Sequence, residues 1–407
     1  VTDVLQVIKD LQLTKRAEAE QLLLGFMRDT LGLKVTQTRL TPKPTSLNSF
    51  NGFVTFEDGS EKFFKTHTEN NTVIQEYYNA ELLARVGYPI IQPTFQSTTT
   101  GQQILLYDII HHEAVFDLCW HIENTQSIDW QNLATAQNSA DVELLKIYRH
   151  TLGQDASPSS PIHQLFYHRL VGGRMDNFYM EKTLLFPNGE HAISDLETKK
   201  WVINEQVYEN TLYNIIERAI RLLNPIHCDA VSVIGHGDAH NGNVFFVDEN
   251  VPSLLYFDPA FAGKHHPLLD LAKPLFHNVF AMWMYYPNEK ASQTQVKVEM
   301  SDNTVSVDYD YLLHGVRKMF FESKIDNVLI PMLKLLKAEG LLRDDWRAFL
   351  KSALFCCPYL TMNLADRERF PAKIALLGLT MAIEMGAESS IKLSYLDEML
   401  NRAENAL

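Results

Sequence analysis

Hydrophobic and polar positions change period several times along this chain, and each change predicts an element. Leu5, Ile8 and Leu11, then Leu22, Leu23 and Phe26, recur at helical spacing, so residues 3–32 predict one or two helices. From 35 to 66 the pattern reads as strands. Residues 51–57 alternate, Asp58-Gly59 is a hairpin turn, and residues 61–66 return as the partner strand. Asn70, Asn71 and Thr72 can cap a helix that runs over 72–85, and strands resume over 90–110. From about 111 onward the pattern is mainly helical. Inside it, residues near 178–194 predict an inserted hairpin around Pro187-Asn188-Gly189. A second hairpin is predicted at 295–308, with its turn at Ser301-Asp302-Asn303. Residues 153–161 form a Ser- and Pro-rich loop with a helix start at Pro161. No repeat or low-complexity tract interrupts the chain.

The chemistry concentrates in residues 233–247, Val-Ile-Gly-His-Gly-Asp-Ala-His-Asn-Gly-Asn-Val-Phe-Phe-Val, and in 254–259, Leu-Leu-Tyr-Phe-Asp-Pro. The apolar run after Asn243 reads as a short buried strand, residues 248–250 as a turn, and residues 254–257 as a returning strand that ends at Asp258. Such a hairpin brings its ends together, so Asn243 and Asp258 are candidates to share magnesium, which prefers oxygen ligands and substrate phosphates. Asp238 is the carboxylate that can take a proton. Read alone, a His-x-Asp is a surface turn, because Asp and Asn are ordinary turn residues. The whole string together with the strand pair and a strand-terminal Asp points instead to phosphoryl transfer, which needs little more than positioning and charge neutralisation.

Bulk properties narrow the class. The chain has 407 residues, 46% hydrophobic and 21% charged, which suits a folded protein with room for two domains or one bilobal one. No apolar run approaches a membrane span, and the N-terminus reads as an amphipathic helix rather than a signal peptide. Cys119, Cys228, Cys356 and Cys357 form no metal or redox pattern. Together these lead us to expect a cytoplasmic protein. The net charge of −14 argues against a nucleic-acid partner. It is compatible with a cationic substrate, and equally with a surface that merely keeps the protein in solution.

The string HGDAHNGN at 236–243 resembles the catalytic loop of the aminoglycoside phosphotransferase and choline kinase superfamily, usually H-G-D-x-H-x-x-N. Leu268-Leu269-Asp270-Leu271-Ala272 resembles a second segment of that superfamily, and the close match spans roughly 233–272. The resemblance implies a bilobal protein-kinase-like α+β fold, with a small antiparallel-sheet lobe at 1–110 (helical extension at 1–33) and a large, mainly helical lobe at 111–407. It implies that Asp238 is the catalytic base, that Asn243 and Asp258 hold Mg2+, and that His236 braces the loop. His240 would be structural, and Asp270 would hold the loop without touching substrate.

A kinase-like fold also requires a strand lysine, a helix glutamate and a loop over the ATP phosphates. Lys65 is the best match for the lysine, with Lys62 as competitor. Glu76 is chosen as its partner, with Glu81 in reserve. Ser46, Asn48 and Ser49 can offer hydroxyl, amide and backbone donors to phosphate, although the segment is not glycine-rich. Tyr107 to Ile109 fit the segment where backbone groups meet adenine. Asp270 follows Asp258 by only twelve positions, and no peptide-docking activation segment is present, which favours a small-molecule alcohol as acceptor.

Arg169, Arg174, Trp283, Tyr285, Tyr286, Asp308 and Asp310 are candidate contributors to an acceptor pocket. The aromatics suggest a choline-type cage, although residues 276–286 equally suit a buried helix, which we prefer. Arg169 and Arg174 suit a carboxylate or phosphate. The sequence leaves open an antibiotic, a choline-like amine, a sugar or an amino-alcohol. The leading expectation is an ATP- and Mg2+-dependent small-molecule kinase. The alternatives are a non-catalytic nucleotide or metabolite sensor on the same fold, and an enzyme that transfers AMP.

Overall fold

A computed structural model of the chain describes residues 4–41, 49–67, 72–97, 99, 101–125 and 129–407. Two units emerge: Val1–His112 with Leu255–Ala260, and Glu113–Leu254 with Phe261–Leu407.

In the smaller unit the alternating segments become a five-stranded antiparallel sheet. Its strands are β1 (Val35–Leu40), β2 (Ser49–Phe56), β3 (Glu61–His67), β4 (Phe95–Ser97) and β5 (Ile104–Asp108), in the order β1-β2-β3-β5-β4. The β2–β3 turn forms at Asp58-Gly59 as the sequence predicts. Gly59 takes φ +82°, and the Asp58 carboxylate accepts from the Ser60 N–H at 2.9 Å. Helices α1 (Val4–Leu11) and α2 (Arg16–Gly25) cover one face of the sheet. Their Leu5, Ile8 and Leu23 share a core with Phe50, Val54, Phe64 and Leu106. Each such fully buried side chain contributes roughly 1.5–3 kcal/mol relative to exposure. Because strand side chains alternate, burying Phe64 on this face turns Lys65 to the other. Helix α3 (Thr72–Arg85) follows and ends at a turn with Gly87 at φ +100°. Ser46 and Asn48 lie outside the described residues. Ser49 opens β2 and Glu76 lies in α3, but the side chains of both lie outside them too.

The larger unit is mainly helical. Its core helix Trp346–Leu360 packs against Pro267–His277 and Ala372–Gly386. Cys356 and Cys357 are buried within the core helix, and all four cysteines are free thiols. Several of the charges buried in this unit are paired. Asp141 meets Lys324 and accepts from Ser323 at 2.7 Å and Gln137 at 2.9 Å, while Asp397 meets Lys351 and accepts from the Ser389 hydroxyl at 2.6 Å. No helix among the described residues is long and apolar enough to cross a membrane.

Two expectations for this unit need correction. The hairpin near 178–194 is narrower, Thr183–Phe186 against Gly189–Ala192, because the helix Arg174–Tyr179 takes up its first residues and Ile193–Leu196 its last. The hairpin Val296–Met300/Thr304–Tyr309 forms as predicted but is not a free-standing insertion. Thr304–Tyr309 pairs in parallel with Lys200–Ile203, which leads on to Gln206–Tyr208 and Ser389–Ser390, completing a five-stranded sheet.

Candidate functional site

In the larger unit, the strand Val233–Gly235 pairs antiparallel with Gly263–His265 and delivers the segment Gly235-His236-Gly237-Asp238. Both glycines are dictated by crowding. A Cβ on Gly235 would collide with the Asp270 carboxylate and the His265 ring, and one on Gly237, which sits at φ +80°, would collide with the Phe261 carbonyl. Asp270 is the clasp. It accepts from the Gly237 N–H at 2.5 Å, from His265 Nε2 at 3.0 Å and from the Tyr148 hydroxyl. Burial pushes its carboxyl up, but these donors outweigh burial and hold it at about 2. His236 is fully buried, and its Nδ1 accepts from the Asp238 N–H at 3.4 Å, so it underlies the loop.

The Asp238 side chain is 15% exposed, and its Oδ1 meets Lys273 Nζ at 3.1 Å and His240 Nε2 at 3.7 Å. The lysine contact is an ion pair by distance, and Oδ1 itself is buried, so the exposed part of the carboxylate is the part an incoming partner can reach. Burial works to raise this carboxyl. Lys273, His240 and His236 outweigh it, and the net shift is downward, so the group is held ionised. His240 Nδ1 accepts from the Gly242 N–H at 3.1 Å, which puts the neutral ring's proton on Nε2, the edge facing Asp238. Asn243 closes a single helical turn, Asn241–Asn243, before the strand Val244–Val247. Its Nδ2 donates to the Asp238 carbonyl at 2.9 Å. That fixes the amide's orientation and turns its oxygen to the other side.

Lys273 was not singled out from the sequence. A lysine after Leu-Asp-Leu-Ala reads as a solvated helix position, yet every residue of Pro267–His277 is buried. The available signal was the segment's apolar character on all sides: a helix of that kind is buried, and a lysine inside it needs a partner.

In the smaller unit, Lys65 Nζ lies 3.1 Å from Asp258 Oδ1, with the side chains 19% and 42% exposed. Lys62 instead pairs with Asp108 at 2.5 Å toward solvent, and Glu81 is engaged by Arg85 one helical turn on. Asp258 takes φ +55° although it is not glycine and precedes Pro259. Such a conformation costs on the order of 1–3 kcal/mol and persists only where the surroundings impose it. Here they do. The Tyr256 N–H donates to the Pro89 carbonyl at 2.8 Å, the Ile91 N–H donates to the Tyr256 carbonyl at 2.9 Å, and Asn79 Nδ2 donates to the Pro259 carbonyl at 3.1 Å. Tyr107 lies in β5 opposite Phe63, and Ile109 follows the end of that strand.

The acceptor candidates separate. Trp283 is buried in the core with its Nε1 against Met381 Sδ at 2.8 Å, and Tyr286 stacks on Trp120 with centroids 3.7 Å apart, so these rings fill one another and enclose no cage. Tyr285 Oη meets His277 Nδ1 at 2.9 Å. Asp310 is spent on the Gln295 N–H at 2.7 Å, and Asp308 is exposed on the hairpin. Among the described residues no group of three His, Cys, Asp or Glu side chains is arranged to hold a metal.

No protein-family model matches the chain, and no curated protein matches it in sequence. Solved structures do resemble it. An amicoumacin kinase in complex with AMP-PNP, Ca2+ and Ami is 14% identical, covering 92% of this chain and 96% of its own at a TM-score of 0.49. An aminoglycoside phosphotransferase in a ternary complex with ADP and hygromycin B is 11% identical, covering 89% and 98% at 0.46. A putative fructosamine-3-kinase from Thermobifida fusca is 12% identical, covering 87% and 94% at 0.42.

Proposed function

We propose that this protein transfers the γ-phosphoryl group of ATP to a hydroxyl of a small molecule. The observation that carries the reading is the Asp238 carboxylate. It is mostly buried yet held ionised, on a loop clamped through its backbone by Asp270, and the part of its side chain that stays exposed is what an alcohol can meet. In the reaction the acceptor oxygen bonds to the γ-phosphorus, the bond to the β,γ-bridging oxygen breaks, the hydroxyl proton passes to Asp238, and ADP leaves.

Asp238 orients the hydroxyl, His236 and Asp270 position Asp238, and Lys273 keeps it charged. Lys65 binds the ATP phosphates with Glu76 as its partner, Ser46, Asn48 and Ser49 cover them, and backbone groups at Tyr107 and Ile109 meet adenine. The Asn243 amide oxygen and the Asp258 carboxylate are hard oxygen donors of the kind magnesium takes alongside phosphates and water. Bound magnesium supplies charge neutralisation at the β- and γ-phosphates.

The test is Asp238→Asn, assayed by ADP release across alcohols, aminoglycosides, macrolides, choline-like amines and sugars. Turnover is expected to fall by roughly 10²–10⁴ while Mg-ATP still raises the melting temperature. Unchanged ADP release with a competent acceptor removes Asp238 from the role.

A further inference from the structure

The charges around Asp238 in the larger unit are strongly one-sided. Lys273 meets its carboxylate directly at 3.1 Å, and the neutral His240 ring presents its Nε2 edge at 3.7 Å. Arg169, Arg174 and Arg369 lie further out. Among the described residues none of these arginines has a carboxylate within ion-pair distance. Their guanidinium groups meet neutral partners: Arg169 the Thr361 hydroxyl at 3.5 Å, Arg174 the Leu360 carbonyl at 3.3 Å and the Phe178 ring, and Arg369 the Met284 carbonyl at 3.5 Å and the Phe370 ring, while the Asp366 carboxylate accepts from the Arg369 backbone N–H at 3.3 Å. The Arg369 Nε is buried with no hydrogen-bond partner. Burial and the neighbouring Arg174 push the Arg169 guanidinium down, and the Asp238 carboxylate acts against them. Contacts lead from the base to Arg369: His240 lies 3.7 Å from Asp238, its ring centroid is 5.4 Å from that of His277, His277 meets the Tyr285 hydroxyl at 2.9 Å, and Arg369 reaches the carbonyl of the adjoining Met284.

On a chain of net charge −14 this is a local reversal of sign. Capping the carbonyl end of the helix Trp346–Leu360 accounts for the contact of Arg174 with Leu360. It uses one edge of a guanidinium that offers a fork of donors, and it does not explain Arg369. A cationic acceptor, such as an aminoglycoside or choline, would meet repulsion here. An oxyanion would satisfy the open forks.

We infer that the acceptor is an anionic alcohol, whose carboxylate or phosphate group is bound by Arg169, Arg174 and Arg369 while its hydroxyl faces Asp238. This rests on the phosphotransfer reading for the role of Asp238. The charge preference is a separate property that binding alone reports.

The experiment uses the full chain and matched probes: glycerol 3-phosphate against glycerol, glucuronate against glucose, and choline as the cation. Each is assayed for ADP release from Mg-ATP and for thermal stabilisation in the presence of Mg-ADP. The charged member of at least one pair is expected to exceed its neutral mate by about 10–100-fold, the scale of a hydrogen bond to a charged group. The phosphate and carboxylate pairs report separately on which oxyanion is preferred. In Arg369→Gln, and in the more exposed Arg174→Gln, that ratio should fall toward one. Preference for the neutral or cationic probes, no stabilisation by either charged probe, or a ratio unchanged in both variants overturns the inference. Charged-probe binding without any ADP release supports the anion site while removing the phosphotransfer reading.

Discussion

Two lysine–aspartate pairs, one in each unit, share a separation of 3.1 Å and differ in almost everything else. Lys65 and Asp258 in the smaller unit are 19% and 42% exposed, whereas Lys273 and Asp238 in the larger unit are 5% and 15% exposed. Equal distance does not mean equal energy. Near water an ion pair is screened and contributes about 0–1 kcal/mol. In the interior, each partner is needed to offset the other's lost hydration. The exposed pair can therefore be exchanged for a ligand at little cost, as a phosphate-binding lysine and a metal-binding carboxylate require. The buried pair instead sets the charge state of one oxygen.

The largest expected effect comes from breaking the buried pair. Lys273→Met leaves Asp238 without its closest cation and should cost about 3 kcal/mol of stability, the lower end for an uncompensated buried charge. The wild-type carboxyl sits below its ordinary value of 3.8, so the stability it contributes is present above that pH and is lost as pH falls through the folded-state value. Without the lysine, burial acts with less opposition and the carboxyl rises. The acid limb of the turnover–pH profile should then move to higher pH. A stable variant with an unmoved acid limb would show that Lys273 does not govern the base.

Breaking the exposed pair should give the opposite combination. Lys65→Met is expected to lower turnover by about 10²–10³, the scale for removing one electrostatic group from a developing charge, while stability changes by about 1 kcal/mol or less. Lys62→Met, whose pair with Asp108 faces solvent, is the matched control and should leave both nearly unchanged. Equal losses of turnover in the two variants would mean that Lys65 was chosen wrongly over its neighbour.

The two units also differ in how openly the sequence announces them. In the smaller unit, period-two alternation, an Asp-Gly turn and a capped helix each act over a few residues, and β2, β3 and α3 form where these signals stand. The larger unit depends on contacts distant in sequence. Lys200–Ile203 and Gln206–Tyr208 were not foreseen, because each is very short and their turn is Asn204-Glu205. That turn adopts φ of +48° and +70° without the glycine that usually marks such a hairpin. Tertiary pairing with Thr304–Tyr309 supplies what local preference lacks. The segment Gly235–Asp238 was legible because its glycines are forced by crowding and its motif falls within a short span. Of the cations around it, Arg169 and Arg174 stand out as candidates for an oxyanion, whereas Lys273 and Arg369 do not, since each looks individually like a surface residue.

The smallest effect extends the comparison to a buried carboxylate with no cation of its own. Glu384 accepts from the Tyr309 hydroxyl at 3.0 and 3.1 Å and makes no ion pair among the described residues. Burial raises its carboxyl from 4.5 to about 7, with Asp397 adding to the rise and Tyr309 and Lys351 opposing it. Between those two values the unfolded chain has released a proton that the folded chain keeps. Stability therefore falls as pH rises from 4.5 to about 7 and levels off above. Glu384→Gln keeps an acceptor for Tyr309 and has no proton to lose. Near pH 8 it should be more stable than the parent by about 1–3 kcal/mol, the range for one desolvated polar group, with the gain vanishing below the ordinary carboxylate pKa. Denaturant unfolding at several pH values measures this. A gain independent of pH would mean that Glu384 is not the titrating group, and burial without a cation would then not suffice to keep a carboxyl protonated in this core.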